Sequence, residues 1–325
     1  MFYSYNDESV RYTGRWGEYG KSFTATAPGS SFEIAFEGEY IVLEFDMDWN
    51  CHPYPRIYLS LDGKNKFESV ADGYIRVEAQ ESGKHILTVI FKGTVEMHHR
   101  WARPLVGKIS FKGYEAEKSS SLPEDNRKTI ELIGDSITEG VLVDASHRTD
   151  LTNDQNNRVY QDDSTATYAY LTAQNLGLRS FHAAYGATGV THGGCGGFPD
   201  VLTSYNYCFE NCPVSYASPD YILINHGAND RGASAQEYTQ KYSALLDIVR
   251  EKNPSSKIIC VSAFCGCYPA ELGAMIKKYN EENGTDILYV DATGFVPLEP
   301  LHPLRDGHRI ISQKLTQILR KELEL

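Results

Sequence analysis

Between residues 32 and 116 apolar and polar side chains alternate in short runs. The stretches "FEIAFEGEYIVLEFD" (32–46), "RIYLSLDGK" (56–64), "YIRVEA" (74–79), "HILTVIFKG" (85–93) and "VGKISFKGYEA" (106–116) carry this period of two, several of them punctuated by Gly or Asp-Gly. Successive side chains of a strand point to opposite faces, so each run reads as a strand with one face in a core. Many short strands separated by turn signals predict an all-β domain, a jelly roll or β-sandwich, over residues 1–117. The stretch "KSSSLPEDNR" (118–127) is polar, rich in serine and holds a proline, and is expected to be a linker.

From residue 128 the period changes. Apolar runs at 129–133, 179–184, 221–225, 257–263 and 286–291 alternate with amphipathic segments. Tyr238, Tyr242, Leu245 and Val249 recur at i, i+4, i+7 and i+11, and Ile311, Leu315, Ile318 and Leu319 again mark one helical face. Strand and helix in alternation predict a second domain, 128–325, of α/β class: a parallel five-stranded sheet covered on both faces. Residues 141–166 fit neither period and are expected to form a long loop over one sheet edge.

Charge and composition narrow the partners. A formal charge of −12 over 325 residues argues against nucleic acid or an anionic membrane surface. No apolar run approaches the roughly 18 residues of a membrane span. The opening "MFYSYNDESVRYTGRW" lacks a basic segment followed by an apolar one, which makes the cytoplasm the default expectation. Neither Cys208 and Cys212 nor Cys265 and Cys267 have the spacing of a zinc knuckle, so reduced thiols, no metal and no cofactor are expected. The adjacent His98 and His99 would point to opposite faces of a strand and read as surface histidines. The run "GATGVTHGGCGG" (186–197) lacks the pattern of a phosphate cradle and is expected to be an active-site loop.

Chemistry gathers where the α/β strands end. Sites in open α/β sheets form at the carboxyl ends of the strands. Gly134-Asp135-Ser136 follows the first strand, where taken alone it reads first as a helix cap and second as the seat of a nucleophile. "AYGATG" (184–189) follows the second strand, "HGAND" (226–230) the third, and "EPLHPLRDGH" (299–308) the last. A serine, two candidate oxyanion donors and a histidine at these ends are what acyl transfer needs.

These four blocks, in this order, resemble the SGNH (GDSL-type) hydrolases over about 128–325. With a jelly roll in front, the chain is further similar to the acetyl esterases of carbohydrate esterase family 2. The resemblance implies an SGNH-hydrolase fold, Ser136 as nucleophile, His302 as base, and the Ser136 N–H, Gly189 and the Asn229 side chain as oxyanion hole. It implies a structural role for His308. Where the family has Asp three residues before the histidine this chain has Glu299, either an orienting acid or a bystander to a Ser–His dyad. Asp306 reads as the N-cap of the last helix. Tyr185, Tyr205, Tyr207 and Trp101 are weaker candidates for contact with sugar rings, whose CH faces suit flat aromatics. The expectation is a carboxylic ester hydrolase that removes O-acetyl groups from a xylo-, manno- or gluco-configured saccharide. The alternatives are a lipid esterase or thioesterase on the same fold, or a carbohydrate-binding protein with a vestigial site.

Overall fold

The computed structural model describes residues 1–145 and 159–325. Half of the stretch expected as a long loop, 141–166, therefore lies outside the described residues. The first nine strands form one antiparallel sheet folded upon itself: β1 (Phe2–Ser4), β2 (Val10–Thr13), β3 (Trp16–Tyr19), β4 (Ser22–Ala25), β5 (Ser31–Phe45), β6 (Arg56–Leu61), β7 (Phe67–Val70), β8 (Tyr74–Gly93) and β9 (Ile109–Ser119). The path through it runs β3-β4-β9-β5-β8-β6-β7, with β1 beside β9 and β2 beside β5. The runs at 74–79 and 85–93 prove to be one 20-residue strand, β8, because Gln80–Lys84 bends alongside β5 where a turn had been expected. A register shift between Gly38 and Tyr40 lets β5 keep its core face: Phe32, Ile34 and Phe36 point inward before it, Ile41, Leu43 and Phe45 after it. The short strands β1–β4 and β7 carry too few alternating positions to announce themselves.

The second part holds β10 (Thr129–Gly134), β11 (Arg179–Ala184), β14 (Tyr221–Asn225), β15 (Lys257–Val261) and β16 (Leu288–Val290), all parallel in the order β11-β10-β14-β15-β16. A small hairpin, β12 (Tyr207–Phe209) and β13 (Cys212–Pro213), stands apart. Helices are α1 (Ser136–Glu139), α2 (Tyr168–Asn175), α3 (Val201–Ser204), α4 (Ala235–Lys252), α5 (Pro269–Asn283) and α6 (Arg305–Glu322). Ile130, Leu132, Leu223 and Ile259 pack on one sheet face with Tyr168 of α2 and Ile311, Leu315 and Leu319 of α6. Ile133, Ile222, Ile224 and Ile258 pack on the other with Tyr238, Tyr242, Leu245 and Val249 of α4. Asp306 does not cap α6. Leu304 holds the cap position without a side-chain bond, and Asp306 lies inside the first turn, 3.1 Å from Arg309. Among the described residues no helix is long and apolar enough to cross a membrane.

One position of β10 breaks its apolar pattern. Glu131, fully buried, faces Arg15 from the β2–β3 connection at 2.8 Å, and Tyr205 and Tyr216 add their hydroxyls to the same carboxylate. The β-sheet thus reaches into the core of the α/β part.

Candidate active site

β10 ends at Gly134, and the chain doubles back at once into α1. A Cβ on Gly134 would sit 2.2 Å from Thr138 Oγ1 and 3.0 Å from Asn225 O, so no other residue allows this close a return. Asp135 is the N-cap of α1, accepting the Ile137 N–H at 3.0 Å, and Ser136 is the first helical residue. Cap and candidate nucleophile are therefore neighbours rather than competing readings of one tripeptide. Burial pushes the Asp135 carboxyl up to about 7; the Ile137 bond opposes this, and Asp230 and Glu96 add repulsion.

The strand order reverses at β10, since β11 lies on one side and β14 to β16 on the other. Such a reversal opens a crevice beyond the carboxyl ends of the two strands that flank it. Ser136 follows β10 and Asn229 follows β14, so both sit at that crevice. His302 arrives there from the loop after β16. It precedes Pro303, which favours extended backbone, and α6 begins only at Arg305. The His302 Nε2 lies 2.8 Å from Ser136 Oγ. With Nδ1 protonated, the hydroxyl donates to Nε2.

The loop carrying His302 is fastened on its far side. Arg305 donates its N–H to Val143 O at 2.9 Å, and its guanidinium grips Asp144 at 2.6 Å and Asp163 at 3.0 Å. Tyr58 of β6 bonds the same Asp163 oxygen at 2.9 Å.

Asn229 is positioned by two bonds. Its Nδ2 donates to Thr188 O at 3.1 Å, and its own carbonyl faces His192 Nε2 at 2.9 Å. His192 Nδ1 meets Gly193 O at 2.7 Å. Two carbonyls can only accept, so the bonds to Gly193 and Asn229 raise the His192 pKa above its ordinary value. An amide has two N–H donors, and Thr188 uses one of those on Asn229.

Gly189 is a different matter. Its N–H donates to His192 O at 3.0 Å, and the space where its Cβ would be holds the Asp230 carboxylate. In this structure that N–H serves the loop's own turn. The glycine run 186–197 has a second use that the sequence conceals: it lets the β-sheet part come close. A Cβ on Gly186 would fall 2.1 Å from Glu96 Cγ, and one on Gly196 2.1 Å from His98 O.

His308 has no exposed surface; its Nδ1 accepts the Tyr168 N–H at 2.9 Å, and burial pushes its pKa down to about 3. Glu299 is exposed on the loop before His302. Tyr185 and Tyr205 are interior residues, contrary to their reading as sugar contacts. Tyr185 stacks on Phe198 at 3.7 Å, and Tyr205 bonds Glu131 at 2.9 Å. Trp101 and Tyr207 stay half-buried, their rings 6.0 Å apart edge to face. His98, expected at the surface, is half-buried and pushed by burial down to about 4. Among the described residues no group of three or more His, Cys, Asp or Glu is placed to hold a metal.

Reading the sequence missed four residues around the site. Arg100 enters from the β8–β9 connection and pairs with Glu139 of α1 at 2.6 and 3.2 Å, both side chains buried. Glu96, from the same connection, is buried beside Asp135 and Gly186. His192 holds Asn229. Nothing local marks any of them, since each depends on a partner distant in sequence.

Comparison with known proteins adds a family model, described as GDSL-like Lipase/Acylhydrolase, which matches residues 132–310. No curated protein matches the sequence. Among solved structures the chain is similar to a family two carbohydrate esterase from Cellvibrio japonicus, with 19% identity and a TM-score of 0.80, covering 99% of this chain and 97% of that one. It is similar to a family two carbohydrate esterase from Clostridium thermocellum in complex with cellohexaose, with 20% identity, a TM-score of 0.75 and coverage of 97% and 99%. An acetyl xylan esterase from the rumen bacterium Butyrivibrio proteoclasticus gives 18%, 0.77, and 100% and 98%. At these identities the likeness is one of fold, and it embraces both parts of the chain.

Proposed function

The chain belongs to the GDSL-like lipase/acylhydrolase family, and from that premise we propose that it is a serine esterase removing O-acetyl groups from a saccharide. The observation that carries the reading is the 2.8 Å approach of His302 Nε2 to Ser136 Oγ at the crevice of the sheet. Ser136 attacks the ester carbonyl as His302 takes its proton. The Ser136 N–H, left without an intrahelical acceptor in the first turn of α1, and the second N–H of the Asn229 amide stabilise the oxyanion. The His302 imidazolium then protonates the departing sugar hydroxyl, and water, activated by the same ring, releases acetate. Gly189 has no part in this scheme, because its N–H is engaged within the loop.

The saccharide half of the proposal leans on the two-part fold shared with carbohydrate esterases. Trp101, half-buried at the rim of an aromatic cluster with Phe198 and Tyr207, is the aromatic we assign to a sugar ring. The test is release of acetate from acetylated xylo-, manno- and gluco-oligosaccharides, read by mass spectrometry, beside small acetyl and octanoyl esters. Acetyl turnover that Ser136→Ala lowers on the order of 10⁴-fold, in a folded protein, is expected. A preference for octanoyl esters would point to a lipid esterase instead. Near wild-type rates in Ser136→Ala would remove the mechanism.

A further inference from the structure

The β12–β13 hairpin pairs Tyr207 with Pro213 and Phe209 with Cys212, so Cys208 has no opposite residue and forms a bulge. In a regular ladder Cys208 would face away from Cys212, because neighbours on a strand alternate. The bulge cancels that alternation and turns Cys208 to the side of Cys212. Both sulfurs then land on one short stretch of β3. Cys208 Sγ lies 3.2 Å from Trp16 O, and Cys212 Sγ fills the place of a Cβ on Gly17, 2.2 Å from where that atom would be. Adjacent residues of β3 thus hold both sulfurs on the same side of the hairpin.

We propose that Cys208 and Cys212 are an oxidation site, a dithiol that closes to an internal disulfide when a small-molecule disulfide such as oxidised glutathione reaches it. Their exposure fits the two steps. Cys212 is half-buried, within reach of the oxidant, while Cys208 is buried and needs only to reach Cys212. The neighbouring Cys208 thiol favours the Cys212 thiolate and lowers its pKa; burial opposes, and the nearby Arg103 assists. The Cys212 thiolate attacks one sulfur of the oxidant and expels the first glutathione thiolate. Cys208 then loses its proton and attacks the Cys212 sulfur, expelling the second. The protein gives up two electrons and two protons, and two glutathione thiols carry them away. The disulfide would tie the hairpin across its bulge, at a point where Cys208 O accepts Thr26 Oγ1 at 3.1 Å and Tyr207 O accepts Arg15 at 3.1 Å from the β-sheet part.

The experiment equilibrates the full chain in glutathione buffers of rising oxidised fraction, traps free thiols with N-ethylmaleimide and digests with chymotrypsin. Cleavage after Phe209 separates the two cysteines unless a disulfide joins them. The expected result is a linked Cys208–Cys212 peptide, about 2 Da lighter than its reduced halves together. The Cys208→Ser variant should instead accumulate a glutathione adduct on Cys212. Maleimide on both cysteines of the wild-type protein at every buffer ratio would overturn the proposal, as would a wild-type protein that stops at the glutathione adduct. The wild-type arm decides even if the variant fails to fold.

Discussion

His302 and His308 lie in one short segment, yet one meets Ser136 half-exposed and the other is sealed behind Tyr168. Burial also holds His182 and His226 neutral, each pushed down to about 4, with the charge of Asp230 opposing at His226. In the unfolded chain all three sealed rings titrate near 6.5, so below that pH the unfolded state binds protons that the native state refuses. Stability is therefore present above about 6.5 and lost as pH falls toward 4, by up to about 1.4 kcal/mol per pH unit for each ring. Asp135 acts with opposite sign, since its raised pKa favours the native state below about 4 and the advantage fades up to about 7. Three rings outweigh one carboxyl. The urea midpoint should be lower at about pH 5 than at about pH 7.5, and an unchanged midpoint would mean that the rings are hydrated. Glu299 is exposed, and water and salt screen an exposed carboxylate. Glu299→Gln is accordingly expected to lower kcat about tenfold or less, with a loss above about 10³-fold marking it as the acid that orients His302.

At the level of elements, the glycine run after β11 is where loop, site and β-sheet part meet. Gly196 has φ 62° and places its Cα against the backbone of His98. Gly196→Ala adds both left-handed strain and a clash with an atom that cannot rotate away. A loss of roughly 1–3 kcal/mol in chemical denaturation is expected. An unaltered midpoint would show that the β8–β9 connection yields freely. The same run was legible as glycine-rich, and its place after a strand suggested a site loop. Its steric purpose was not legible, because Glu96 and His98 lie far from their glycines in sequence.

At the scale of the whole molecule, two buried ion pairs among the described residues join the parts, Arg15 with Glu131 in β10 and Arg100 with Glu139 in α1. The second pair grips the helix that begins with Ser136. Arg100→Met would leave Glu139 buried without its cation, a change of about 3–5 kcal/mol. The double variant Arg100→Met/Glu139→Leu should recover much of that stability, because two apolar side chains leave no unpaired charge. Equal stability losses in the single and double variants would show that Arg100 contributes packing alone.

Periodicity was enough for the class of each half. Alternation marked the long strands β5, β6, β8 and β9, and a helical stripe marked α4 and α6, because one buried face repeats locally along each element. Ser136, Asn229 and His302 could be proposed as site residues from the sequence, since strand ends and short motifs are local too. The approach of His302 to Ser136 could not, nor could the loss of the Gly189 N–H to His192. Glu131 and Glu139 read as ordinary acids until Arg15 and Arg100 arrived from the other part of the chain. Burial, charge pairing and hydrogen-bond direction depend on atoms brought together from distant positions, and only the tertiary structure supplies those neighbours.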